Sequence, residues 1–314
     1  MSFLPAARHG QASFARYAAG LGCISSIYVL LSILAAAILF AAAGEGADPN
    51  RIPTLPLGPA GPAATLAVLL LPSVAVLFAV VFVTAVVHGR SPVTLVRADG
   101  RPRYRRALLA AAVWAGAAGC FELVAYALYP RSYTWTFEPA RFLPLLVVVV
   151  LLVPLQSAAE ELLFRGYLMQ GLGLALRRGW AALLVTSILF GAVHAGNPEL
   201  ERFGRGFLLY YAGIGVALGL ATLLDDGLEV AIGAHAANNL WGALVVSFPG
   251  SVLDTPALLR MEGVPPGVMA VLGGATALTS LLVLGILLDW RGRWQALGRL
   301  PATETVAMPA PLDG

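Results

Sequence analysis

Residues 17–44 read YAAGLGCISSIYVLLSILAAAILFAAAG, 28 consecutive positions between Arg16 and Glu45 without a charge. A helix that crosses the hydrocarbon core of a bilayer needs about 20 mostly apolar residues, so this run predicts a membrane span. A cleaved secretory signal is the competing reading, because Arg8 and Arg16 precede the run and Ala41 to Ala43 resemble a cleavage site. The apolar part of such a signal is only about 7–15 residues long, which favours the span. The rest of the chain repeats the pattern. Apolar runs at about 63–87 and 107–129, from Phe142 onward, and near 180–196, 207–224, 230–248 and 267–288 predict further helices. Pro53, Pro56, Pro59 and Pro62 cannot continue a helix and mark 44–62 as a loop. The expected fold is an all-α, polytopic membrane helix bundle of about eight transmembrane helices.

Composition agrees. Of the 314 residues 59% are hydrophobic and 12% charged, with a mean hydropathy of +0.81. Soluble domains carry about 25% charged residues, so a soluble protein is excluded and membrane lipid is the expected surrounding partner. The 20 basic residues are all arginine against 17 acids. They fall in short loops and form no groove, which excludes nucleic acid. Arg90, Arg97, Arg101, Arg103, Arg105 and Arg106 crowd the loop 88–106, so this loop and both termini are expected on the cytoplasmic side. The Arg-only, Ala- and Gly-rich composition points to a bacterial plasma membrane. Cys23 and Cys120 lie in apolar runs and read as small buried hydrophobes. One integral-membrane domain over 1–300 is expected, with a disordered tail at 301–314.

An ionisable group in a span is costly enough to need a partner or a function. Glu122 stands alone in the third run and reads as a protonated or hydrogen-bonded carboxyl tied to a neighbouring helix. Three other places are grouped in the second half of the chain. Glu160 and Glu161 are adjacent, so on a helix their side chains diverge by about 100° and are expected not to face one pocket. Glu161 and Arg165 stand at i, i+4 with the acid first, the favourable order for an intrahelical pair, which leaves Glu160 free. Phe190 and His194 close another apolar run before Asn197-Pro198. His235 and Asn239 share a helical face, and Asn238 points away from it. Together the carboxylate, two imidazoles and an amide form a set that can activate water: Glu160 as proton acceptor, the imidazoles holding the water or a metal, and Asn239 donating to an oxyanion. His194, His235 and Glu160 are equally a first shell for zinc, and the residues alone leave the two open.

These motifs, Glu160-Glu161-x-x-x-Arg165, Phe190-x-x-x-His194 and His235-x-x-x-Asn239, resemble in content and order those of the CPBP family. These are the CAAX-processing and bacteriocin-processing (Abi) intramembrane proteases, which include the Rce1-like prenyl-protein endopeptidases. Asn197-Pro198 and the small residues from Gly213 to Gly219 are similar too, and the resemblance covers about 145–245. It implies an eight-helix endopeptidase with Glu160 as general base and His194, His235 and Asn239 holding the water or stabilising the oxyanion. Glu161, Arg165 and Phe190 are in support. It implies a membrane-associated peptide or protein substrate and admits both a zinc and a metal-free glutamate mechanism. Rce1-like members remove three residues from a prenylated C-terminal Cys-a-a-X sequence. That substrate is not carried over, because prenylated proteins are not expected in such a bacterium. Asp225-Asp226-Gly227 is more acidic than the family pattern and is expected to alter access to the site.

One geometric conflict accompanies this reading. On straight helices entering from the same side, His194 lies about 21 Å from residue 180 but His235 only about 9 Å from Glu229. They meet only if helix boundaries shift or if 156–178 is a long tilted or re-entrant helix. Two other classes compete with a protease. A transporter predicts two similar halves with matched broken helices, whereas here the polar groups occupy one half. A non-catalytic scaffold predicts the loss of Glu160 or a histidine, and all are present.

Overall fold

The computed structural model describes residues 3–43 and 61–300. Most of the 44–62 loop and the 301–314 tail therefore lie outside the described residues. Each apolar run is helical. The helices are α1 (Phe14–Ala43), α2 (Gly61–Val86), α3 (Tyr104–Leu128), α4 (Pro139–Glu161), α5 (Gln170–Leu176), α6 (Gly179–Val193), the short α7 (Glu199–Phe203), α8 (Leu208–Asp225), α9 (Glu229–Leu244) and α10 (Pro266–Leu287). A small sheet closes one end, in the order β1 (Tyr133–Trp135), β3 (Leu259–Met261), β2 (Val246–Ser247). β1 is antiparallel to β3, with Thr134 opposite Arg260, and β2 is parallel to it.

Seven segments among the described residues are long and apolar enough to cross a membrane. The protein is an integral-membrane, all-α bundle. The seventh predicted span is the exception in length: α9 has only 16 residues and is enclosed by α3, α4 and α8. Close approach makes that enclosure possible. A Cβ at Gly233 would lie 2.0 Å from the Ala107 carbonyl oxygen, so only glycine lets α9 press onto α3.

α4 and α5 are one continuous helical segment of 38 residues, Pro139–Leu176, joined by a π-helical stretch over Leu162–Met169. At 1.5 Å per residue it is about 57 Å long, well beyond the roughly 30 Å hydrocarbon core. This length sets the level at which α9 meets it. α9 starts beside the middle of the long segment and not beside its end: Leu228 donates its N–H to Val96, and both it and Leu95 crowd Gly166. From Gly166 up to Glu160 is six residues, about 9 Å, and from Leu228 to His235 seven, about 10 Å, so the two groups arrive at one level.

An ion cluster holds the start of α9 there. Arg103 donates to Asp225 Oδ2 (2.6 Å) and Glu229 Oε2 (3.0 Å), and its backbone N–H donates to Glu229 Oε1 (2.9 Å). Arg106 and the Trp290 indole also donate to Asp225. Asp225 is thus structural, and Asp226 accepts the Phe3 N–H (3.0 Å). The acidic linker ties together the loops at one end. Cys23 and Cys120 correct another expectation, since both are free and exposed. Lipid accepts an apolar side chain as readily as a core does, so the apolar run did not require burial.

Candidate active site

α4 and α9 run antiparallel and exchange polar contacts at two successive levels. At the lower level His235, 6% exposed, directs Nδ1 to Glu161 Oε1 at 2.7 Å and holds Nε2 3.7 Å from Glu160 Oε2. At the upper level Asn239 donates from Nδ2 to Gln156 Oε1 (3.2 Å), with Ser157 Oγ at 3.4 Å. Gln156 in turn donates to Glu160 Oε1. The i, i+4 pairs on each helix therefore interlock, as their shared faces predict.

The two acids differ in surroundings, yet both reach one imidazole, which corrects the expectation that they cannot face the same pocket. The two ring nitrogens lie on opposite edges of the imidazole, so carboxylates that diverge around α4 meet it from two sides. Glu161 is fully buried, and its Oε1 also accepts from Arg165 Nη1 at 2.7 Å, the predicted i, i+4 pair. Arg165, 1% exposed, donates its other nitrogen to the Gly215 carbonyl (3.1 Å) and lies over the Phe190 ring, 4.5 Å from its centroid. Since the Glu161 carboxylate can only accept, His235 Nδ1 carries the proton of that bond, and Nε2 faces Glu160. Glu160 keeps a 23% exposed side chain, and its Oε2 is buried with no hydrogen-bond partner among the described residues.

Phe190 is the hub on α6. Its ring contacts Phe164 (5.2 Å between centroids), His194 (4.6 Å) and His235 (6.0 Å). His194, at the transition from α6 to a 3-10 turn, directs Nδ1 to the Phe190 carbonyl at 2.6 Å. It stands on the far end of the Phe190 contact and joins no hydrogen bond of the Glu160–His235–Asn239 group among the described residues. Asn238, expected to point away, turns back and donates to Asn239 Oδ1 (3.0 Å).

Among the described residues no three His, Cys, Asp or Glu side chains gather closely enough to hold a metal ion, and His194, His235 and Glu160 are not an exception. Gln156 is the functional neighbour missed in the sequence. Its signal was present: an amide one turn before Glu160, on the same face, at the end of an otherwise apolar run. Tyr211, which stacks on His194 at 4.3 Å, was also missed. Glu122, by contrast, is hydrogen-bonded, but that bond is to the hydroxyl of Tyr133 on β1 (2.5 Å) and not to a neighbouring helix.

An uncharacterized protein of Bacillus subtilis (strain 168), YyaK, is 33% identical over 132 residues, which cover 42% of this chain and 44% of that protein. The chain thus matches less than half the length of this relative. Residues 139–241 match the family profile of the type II CAAX prenyl endopeptidases, Rce1-like. That segment contains every motif residue from Glu160 to Asn239, and its similarity is to the Rce1-like type II CAAX prenyl endopeptidases.

Proposed function

We propose that the protein is an intramembrane endopeptidase that hydrolyses peptide bonds of a membrane-associated protein or peptide, with Glu160 as the general base. The observation that carries this reading is Glu160 Oε2, a buried carboxylate oxygen with no hydrogen-bond partner among the described residues, 3.7 Å from Nε2 of His235. A buried acceptor left unpaired is costly, and a water between the two groups satisfies both. In the reaction Glu160 takes one proton from that water while His235 Nε2 accepts a hydrogen bond from the other. The water oxygen attacks the carbonyl carbon, and the proton then passes from Glu160 to the departing amine as the C–N bond breaks.

The supporting residues have distinct tasks in this scheme. Glu161 fixes the His235 tautomer and stabilises the ring if it becomes charged. Gln156 occupies Glu160 Oε1, which leaves Oε2 as the reacting oxygen. Asn239, expected as an oxyanion donor, holds Gln156 in the resting state and reaches an oxyanion only by exchanging that bond. His194 Nε2, opposite its bonded Nδ1, is the remaining polar group for the substrate. No step requires a metal. The arginine-rich loop 88–106 and both termini are assigned to the cytoplasmic side of a bacterial plasma membrane.

Glu160→Gln tests the assignment. The amide keeps the shape but cannot accept the proton, so new peptide termini in membranes that carry the wild-type protein should be absent with the variant. Cleavage by purified, folded Glu160→Gln at more than about a tenth of the wild-type rate sinks this role, since general-base catalysis is worth about 10²–10⁴-fold.

A further inference from the structure

His194 is packed against a second cluster that the scheme above leaves unused. Tyr211, in the first turn of α8, lays its ring nearly parallel to the imidazole, 4.3 Å away and inclined by 23°. A histidine held only through Nδ1 to the Phe190 carbonyl can still swing about that bond. A flat neighbour removes this freedom and fixes where Nε2 points.

Tyr211 is itself held at its hydroxyl. Asn197 donates to it from Nδ2 at 3.2 Å, and the Glu199 carboxylate lies beside it. Glu199 is only 4% exposed. Its Oε1 accepts the Val252 N–H (2.8 Å) and has the Ser251 hydroxyl at 3.4 Å. Its Oε2 is buried with no hydrogen-bond partner among the described residues. The clasp is reinforced where Arg202 donates to the Pro249 carbonyl and Phe203 packs on Phe248, 5.5 Å between centroids.

We propose that Tyr211 is a positioning residue for His194, and that Glu199, tied to the 248–252 loop, sets the Tyr211 ring that fixes the imidazole plane. The catalytic consequence rests on the peptidase reading, whereas the positioning itself does not. It also gives a task to Asn197, whose place after His194 was part of the sequence motif.

The experiment compares Tyr211→Leu, Tyr211→Phe and Glu199→Gln with wild type by two readouts. One is kcat and KM for the Glu160-dependent cleavage. The other is the Nδ1–H signal of His194 in 15N-histidine-labelled protein, assigned by its loss in His194→Gln. Tyr211→Leu should lower kcat about tenfold or more with KM within about twofold, because small misplacements of a reacting group are expensive. Its His194 signal should broaden away. Tyr211→Phe keeps the flat face and should keep the signal and stay within about threefold of wild-type kcat, with Glu199→Gln between the two. A folded Tyr211→Leu with wild-type kcat and an unchanged His194 signal overturns the proposal, and so does a Phe variant as damaged as the Leu one. If wild type itself cleaves nothing, the peptidase reading fails, and the histidine signal still decides the positioning.

Discussion

Glu161 is shared by two partners, and substitution can separate what each partner does. Its Oε1 takes charge-assisted bonds from Arg165 and from His235, both at 2.7 Å, and neither Glu161 nor Arg165 meets solvent. Glu161→Gln leaves the guanidinium buried without its counter-charge. Breaking a buried pair by removing one partner costs about 3–5 kcal/mol, and thermal unfolding in detergent should register a loss of that size. Two contacts remain to Arg165, the Gly215 carbonyl and the Phe190 face, so we expect the lower end of the range. Arg165→Met in the same background removes the stranded charge and fills its volume. Because a buried ion pair is often replaced by apolar groups at little net cost, the double variant should recover most of the stability. It should not recover activity, since His235 still lacks the carboxylate that fixes its Nδ1 proton. The decisive quantity is the coupling energy in the double-mutant cycle, expected to exceed about 2 kcal/mol for stability and to be near zero for kcat. Strictly additive stability losses would show that Glu161 and Arg165 are not energetically paired. Recovery of kcat in the double variant would show that His235 does not depend on Glu161.

Two further predictions concern metal and pH. Purified active protein should contain well under one metal per chain and keep its rate after a membrane-permeable chelator; stoichiometric zinc that disappears in His235→Ala would overturn this. His88 lies just past α2, with Nε2 2.9 Å from the Tyr167 hydroxyl and Nδ1 2.8 Å from the Gln11 carbonyl, and burial holds its pKa below the ordinary value. The unfolded chain therefore binds a proton first, so the contribution of His88 is complete above about pH 6.5 and is lost as pH falls toward the lower folded value. The thermal stability of His88→Gln should accordingly fall less than that of wild type below about pH 6.5, and parallel curves would remove His88 from the account.

The spans and the Glu161–Arg165 pair were legible because they are local. Hydropathy over 20 residues and i, i+4 spacing need no knowledge of the partner helix. Which face of each helix is buried was not legible. Leu30, Ile33 and Phe78 are exposed on the bundle surface while Leu39, Val80 and Leu145 are buried, and all belong to equally apolar runs. In water the polar face marks the outside; in lipid both faces are apolar and the mark vanishes. The same blindness placed the two cysteines wrongly and hid Tyr211, whose partners His194, Asn197 and Glu199 lie on the preceding helices and their connection. Gln156 was hidden differently. One amide beside two acids carries little weight until Asn239 and Glu160 are seen to use both of its ends.

Depth was the other missing quantity, and it explains why a charged cluster sits away from the site. Periodicity gives the direction of a side chain around its helix but not its height relative to another helix. For His235 to meet Glu160, α9 must begin well above the end of the long α4–α5 segment, so the loops before it must enter the bundle with unpaired backbone and turn there. Arg103, Asp225 and Glu229 provide the partners that such an entry requires, with the Arg103 N–H bonded to Glu229 and the Leu228 N–H to Val96. Polar backbone away from water is tolerated only when it is satisfied in this way. The acids at 225 and 229 and the arginine at 103 are therefore a condition for the level at which the site assembles, although none of them touches it.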